Sequence, residues 1–267
     1  MGWQVGLAIA LLMLVADSSA QISARAIMER SVHANAVDWK AAPGYECFER
    51  DREAGGRTKT FEDLMLFGSP YQRLVAVNGK PLSRDQQAEQ QQELDSVLAE
   101  RRDESRRDRA KRIAQYQKDR DRDHLMIEQL AKAFRFVLIG EQTIEGHDAY
   151  VLSAIPRPDY QPPNMEAEAL RGMQGKLWID KTTFQWVKVE AQVIRPVSIE
   201  GFLAEVEPGT RFELEKMPVQ DGVWLPNHYA MKANAKVLFP FHHKSQEEEN
   251  YYGYHERTPT EQVDGNE

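Results

Sequence analysis

The segment GKLWIDKTTFQWVKVEAQVIR, residues 175–195, carries the clearest fold signal in this chain. Two strand-like runs, Lys176–Asp180 and Phe184–Arg195, flank the turn residues 181–183, which predicts a β-hairpin. The second run alternates apolar and polar residues, and its apolar set is Val187, Val189, Ala191 and Val193. Such alternation is typical of an antiparallel strand with one buried face.

Similar strand-like runs fill much of the remaining sequence. They are Tyr45–Glu53, Arg57–Phe67, Tyr71–Val77, Phe134–Ile139, Ala149–Ile155, Ile199–Val206, Arg211–Met217, Val223–Leu225, His228–Phe239 and His242–His255. Short turns separate the first three, so they are predicted to form a meander. The run His228–Phe239 is the longest, and one of its faces carries Tyr229, Met231, Ala233, Ala235 and Val237. The run His242–His255 is predicted to be an edge strand, because three consecutive glutamates would discourage pairing.

Helical periodicity is found in Ile22–Trp39, Leu125–Phe134 and the short stretch Met165–Met173. The intervening segment Arg84–His124 contains no Gly or Pro, and 22 of its 41 residues are charged. As one helix it would extend about 60 Å, more than the diameter of about 40 Å expected for such a domain. We therefore expect a break near Asp103–Ser105, where a serine three residues before an acid is typical of a helix start.

These elements predict an α+β fold: a strongly curved antiparallel sheet of about ten strands, forming an open half-barrel with helices on its concave side. Residues 21–257 are expected to form a single domain with a long charged helical insertion at residues 82–134. The polar tail at residues 258–267 is expected to be disordered.

The first twenty residues are interpreted as a cleaved signal peptide, because the apolar run Val5–Ala16 precedes the small residues Ser18-Ser19-Ala20. An uncleaved membrane anchor is the alternative, although the run is shorter than the roughly 20 residues that span a bilayer. We therefore expect a periplasmic location. The net charge of −8 argues against nucleic acid as a partner.

The sequence offers no recognisable catalytic, cofactor-binding or metal-binding motif. Cys47 is the only cysteine, and its strand-like surroundings predict a buried, inert thiol. Aromatic and small residues on the long strands leave two alternatives open. The concave face either keeps an apolar cavity or is filled by a solid core.

Two stretches resemble the periplasmic lipoprotein-carrier superfamily, the LolA/LolB-like outer-membrane lipoprotein-sorting proteins. One is the hairpin at residues 175–190, and the other joins Phe212-Glu213-Leu214 to the turn at residues 221–226. The resemblance implies an open half-barrel whose helices cover an apolar cavity for acyl chains. The charged segment Arg84–His124 departs from a plain lid.

From the resemblance and the apolar faces we expect a non-enzymatic binding protein that holds a lipid or lipoprotein acyl chain. The expected cavity residues are Val187, Val189, Ala191, Phe212, Leu214, Tyr229, Met231, Ala233, Ala235 and Val237. The alternative is an envelope sensor or interaction module with a solid core, which would contact another envelope protein through its charged helical arm. The sequence predicts neither the ligand's identity nor the oligomeric state.

Overall fold

The computed structural model describes residues 22–53, 55–199, 204–237 and 241–257. In these ranges thirteen strands form one antiparallel sheet, and eleven of them follow the order β4-β3-β2-β1-β13-β12-β11-β8-β7-β6-β5. The two ends of this path, β4 and β5, do not pair with each other in the described ranges, so the sheet is an open half-barrel. The predicted signal peptide and C-terminal tail lie outside the described residues.

The strands carry most of the described chain. Their bounds are β1 Tyr45–Arg52, β2 Thr58–Leu66, β3 Ser69–Val77, β4 Lys80–Pro81, β5 Phe134–Ile144, β6 His147–Pro156, β7 Met173–Asp180, β8 Trp186–Val193, β9 Val197–Ile199, β10 Ala204–Val206, β11 Arg211–Pro218, β12 Trp224–Val237 and β13 Phe241–Glu256. The meander β1-β2-β3 and the hairpin β7-β8 are confirmed as predicted.

Four α-helices accompany the sheet in the described ranges: α1 Ala24–Ala41, α2 Arg84–Asp103, α3 Arg106–Ala133 and the short α4 Met165–Glu168. The predicted break in the charged segment is confirmed, since α2 ends before Glu104 and Ser105 caps α3 by accepting a hydrogen bond from the Asp108 backbone N–H. Helix α2 also begins with a capping box between Ser83 and Gln86.

Strand β13 corrects one prediction, because it lies between β1 and β12 and is not at an edge. The glutamates that suggested an edge have partners there. Glu248 lies opposite Arg52, with an ion-pair distance of 3.4 Å, and Glu249 accepts a 2.5 Å hydrogen bond from the hydroxyl of Tyr251. Paired charges do not prevent a strand from occupying the middle of a sheet.

Three other segments differ from their predicted form. Strand β5 continues through a bulge before Gly140 as far as Ile144. The run Ile199–Val206 is not one strand, because β9 and β10 pair with each other. The two runs on either side of Pro226 form the single strand β12, in which a bulge opposite Glu215/Lys216 accommodates the interruption.

The main core lies between the helices and one face of the sheet, which we call the inner face. Helix α1 contributes Ile27 and Met28, α3 contributes Ala133, and the sheet contributes buried residues such as Leu152 and Ile179. A smaller cluster forms on the opposite, outer face from Ala149, Val151, Trp178, Val187 and Trp224. The helices therefore lie on the side that the sequence predicts.

The two charged helices α2 and α3 are attached to the turn between β2 and β3 near the point where they join. Arg101 donates to the backbone carbonyls of residues 66, 69 and 70 at 2.8 to 3.1 Å. Arg112 donates to the carbonyl of Phe67 and to the hydroxyl of Ser69, and it also forms an ion pair with Glu104. The tip of the predicted arm is thus attached to the sheet and does not extend freely.

Candidate ligand-binding face

The expected cavity residues lie mainly on β8, β11 and β12, three adjacent strands whose register brings them side by side. One cross-strand row contains Val189, Leu214 and Tyr229, and the next contains Ala191, Phe212 and Met231. Because alternate residues share a face, these two rows and Ala233 point toward the inner face. The packing of Val189, Leu214 and Phe212 in the main core agrees with this orientation.

The part of the inner face formed by β5–β8 is filled. Leu152, Leu177 and Val189 are buried there against the helices. Of the two alternatives left open by the sequence, a solid core therefore describes this half of the sheet. Val189 belongs to that core.

The neighbouring part of the inner face is only partly covered. Six candidate residues on it are half-buried, and we call them the inner strip: Ala191, Phe212, Leu214, Tyr229, Met231 and Ala233. The rings of Phe212 and Tyr229 meet edge-on at 5.5 Å. Desolvation by burial, together with the nearby Glu249 and Glu247, raises the pKa of the Tyr229 phenol, so this hydroxyl remains neutral on a mostly apolar surface.

Four candidate residues do not join the inner strip, and one of them is Val189 of the filled core. Val187 is wrong as an inner-face residue, because a bulge between β7 and β8 shifts the alternation and buries its side chain in the outer cluster beside Trp178 and Trp224. Ala235 and Val237 lie on β12 opposite residues 243 and 241 of β13, and their side chains lie outside the described part of the structure.

A cavity of about 610 Å³ crosses six neighbouring strands, from β6 to β13. Ala191, Phe212 and Met231 border it, but most of its lining residues are polar residues from the rows on either side. By strand alternation those polar side chains belong to the outer face. This trough has a mixed polar and apolar lining and is distinct from the inner-face cavity that the sequence left open as one alternative. No sequence pattern indicates it, because its rows depend on the register between strands.

Carboxyl groups are buried together on the inner face of β1, β2 and β13. Glu49 is 9% exposed and accepts a 2.7 Å hydrogen bond from the Gln72 side-chain amide. Burial, with Asp63 and Asp51 close by, raises the pKa of Glu49 to about 9. Burial is also the main cause that raises the pKa of the Cys47 thiol to about 12, which agrees with the predicted buried thiol.

A second buried polar group attaches α1 to the sheet. The Lys216 ammonium donates to the Asn35 side-chain oxygen at 2.9 Å and to Asp38 at 3.1 Å. The side chains of Lys216 and Asp38 are 8% and 4% exposed. This ion pair holds the C-terminal half of α1 over β11, next to the inner strip.

Within residues 22–53, 55–199, 204–237 and 241–257, no three His, Cys, Asp or Glu side chains are arranged to hold a metal ion. In the same ranges, no helix is both long and apolar enough to cross a membrane.

The described chain is thus an open antiparallel half-barrel with helices on its inner face, and solved structures with which it aligns include proteins of the class that its hairpin motif resembles. No protein-family model matches the sequence, and no curated protein matches it either. A putative outer membrane lipoprotein-sorting protein domain from Vibrio parahaemolyticus is 14% identical, with 89% of this chain and 96% of that chain covered and a TM-score of 0.31. A LolA superfamily protein from Nitrosomonas europaea is 10% identical, with coverage of 89% and 94% and a TM-score of 0.31. A DUF1329 family protein from Desulfovibrio piger is 9% identical, with coverage of 88% and 93% and a TM-score of 0.32.

Proposed function

We propose that this chain is a non-enzymatic periplasmic binding protein that holds a lipid or lipoprotein acyl chain on the inner strip. The observation that supports the proposal is the half-buried state of six neighbouring apolar or aromatic residues next to the filled part of the inner face. The export signal inferred from residues 1–20 supports the periplasmic location.

The chemistry of the inner strip suits an acyl chain. Phe212, Leu214 and Met231 offer apolar contact, while Ala191 and Ala233 leave room above the sheet. Burial of an alkyl chain contributes roughly 0.8 kcal/mol per methylene, so several methylenes provide useful affinity without a polar anchor. Release then needs no chemical step, only exposure of the chain to another apolar site.

The arrangement of the helices supports reversible occupancy. Helix α1 is held at its C-terminal half by the buried Lys216–Asp38 pair and near its N-terminus by Ile27 and Met28 in the core. The inner strip continues along β11 and β12 beyond these two attachments of α1. An acyl chain is therefore proposed to lie alongside α1, without displacing the core under it.

Substitution of Ala233 by Trp tests the proposal, because an indole would occupy the space above the strip. Binding of a fluorescent fatty acid to residues 21–267 should be lost in Ala233→Trp, while the circular dichroism spectrum is unchanged. The matched control is Ala230→Trp, which makes the same change on the same strand but on the outer face, and it should bind normally. Equal binding by both variants would remove the inner strip as the site.

The alternative proposal is an envelope sensor or interaction module, and the exposure of helix α2 favours it. Leu94 is the only buried residue of α2, and the arginine contacts to the β2–β3 turn present the remaining charged surface rigidly. Deletion of residues 84–122 separates the two proposals. A carrier would still bind the fatty acid after the deletion. An interaction module would lose its partner after the deletion, and it would not bind lipid with or without residues 84–122.

A further inference from the structure

The outer-face trough has two walls, and each wall is a row of directly paired residues. The first wall consists of Lys176, Glu190, Glu213, Ala230 and Glu248 on β7, β8, β11, β12 and β13. The second wall, which we call the donor row, runs along the same five strands and consists of Gln174, Gln192, Arg211, Lys232 and Gln246. All ten residues border the cavity of about 610 Å³.

The first wall has its acids largely compensated by cations. Lys188 forms ion pairs with both Glu190 and Glu213, and Arg52 lies 3.4 Å from Glu248. Lys176 is the direct cross-strand partner of Glu190. Lys188 is also paired with Glu215, so this wall keeps a small excess of acid and is not suited to hold an anion.

The donor row differs because it carries two cations and no acid. Arg211 and Lys232 are direct cross-strand partners, at the separation of about 5 Å where like charges destabilise a sheet. Both side chains are exposed, and among the described residues neither has an ion pair or a side-chain hydrogen bond. Gln192 and Gln246 flank them on the adjoining strands and offer amide N–H donors.

We propose that the donor row is a binding site for a phosphate group, with Arg211 and Lys232 holding the anion and Gln192 and Gln246 donating to its remaining oxygens. A guanidinium binds two phosphate oxygens at once, and an adjacent ammonium adds a second charge. The anion would also relieve the repulsion between the paired cations. The phosphate belongs either to a soluble phosphate ester or to a phospholipid headgroup. The site lies on the face opposite the inner strip, so it does not rest on the proposed acyl-binding function.

Calorimetric titration of residues 21–267 in phosphate-free buffer tests the site with three probes: inorganic phosphate, glycerol phosphate and phosphatidylglycerol vesicles. We expect binding of at least one probe to weaken by about tenfold or more in Arg211→Gln and in Lys232→Gln. Lys80→Gln is the matched control. Lys80 is an exposed lysine of β4, the strand at one edge of the sheet and outside the trough, and this variant should bind phosphate as the wild type does.

The probes distinguish the two sources of phosphate. Binding of the soluble probes identifies a soluble ester, and binding of vesicles alone identifies a headgroup. The thermal midpoint adds a second readout: without phosphate, Arg211→Gln should melt no lower than the wild type, because the substitution removes a like-charge pair. Absence of binding by all three probes, or binding that both substitutions leave unchanged, would overturn the proposal.

Discussion

Replacement of Lys216 by Met should destabilise the protein strongly, because it leaves Asp38 as a buried carboxylate without its cation. The two side chains are 8% and 4% exposed, and their charged atoms lie 3.1 Å apart. Removal of one partner of a buried ion pair costs about 3 to 5 kcal/mol. Asp38 keeps hydrogen bonds from the Trp224 backbone and the Gln185 side chain, so we expect a loss of about 3 kcal/mol in the free energy of unfolding.

Urea unfolding followed by tryptophan fluorescence measures this loss. Asp38→Asn, Lys216→Met and the double variant complete a mutant cycle, in which the double variant should lose less than the sum of the single losses. The loss in Lys216→Met should also shrink as the pH falls. Without the lysine the pKa of the buried Asp38 carboxyl rises further above its ordinary value, so the folded state takes up a proton before the unfolded state does. A loss below about 1 kcal/mol at neutral pH, or single losses that simply add, would refute the role of this pair.

Three further outcomes follow from the contacts of individual residues. Because the folded-state pKa of Glu49 is about 9, against 4.5 ordinarily, the free energy of unfolding should fall as pH rises between these values, by up to about 1.4 kcal/mol per pH unit. Glu49→Gln should flatten this slope in urea titrations, and an unchanged slope would contradict the assignment. Arg112→Gln removes this residue's side-chain contacts to the β2–β3 turn and should lower the free energy of unfolding by about 1 to 3 kcal/mol, with faster amide exchange in α2. Unchanged exchange would show that Arg101 alone is sufficient to hold α2 at the turn. Gly175→Ala would place a Cβ 2.4 Å from the carbonyl oxygen of Glu190, so its thermal midpoint should fall by several degrees, whereas a neutral effect would mean that β7 and β8 separate easily.

Local sequence patterns predicted the elements that a short run of residues is enough to specify. The hairpin at residues 175–195 is visible because alternation and turn residues coincide there. The break between α2 and α3 is visible because Ser105 and Asp108 form a helix start. The α+β class follows from these elements, since apolar strand faces need helices or other strands to cover them.

Features that depend on register or on distant pairing could not be predicted. Val187 is on the outer face because of a bulge that alternation alone does not reveal. Strand β13 is central because β1, far away in the sequence, pairs with it and supplies Arg52 to Glu248. The buried carboxyl of Glu49 and the donor row of the trough also become visible only when the strands are placed side by side.

The length of the charged segment suggested an overhanging arm, and local contacts explain why it folds back. Arg101 and Arg112 satisfy backbone carbonyls at the β2–β3 turn that would otherwise face solvent. A sequence pattern shows that such arginines are charged but not which carbonyls they reach. The exposed remainder of α2 stays available for contact with a partner, as the alternative function requires.

Native mass spectrometry of residues 21–267, purified from a bacterial periplasm without detergent, tests acyl binding on the inner strip most directly. If the inner strip holds an acyl chain, the wild type and Ala230→Trp should carry a bound mass that matches a fatty acid, and Ala233→Trp should carry none. A wild-type protein that carries no lipid, and takes up none after incubation with fatty acid, would contradict the carrier function.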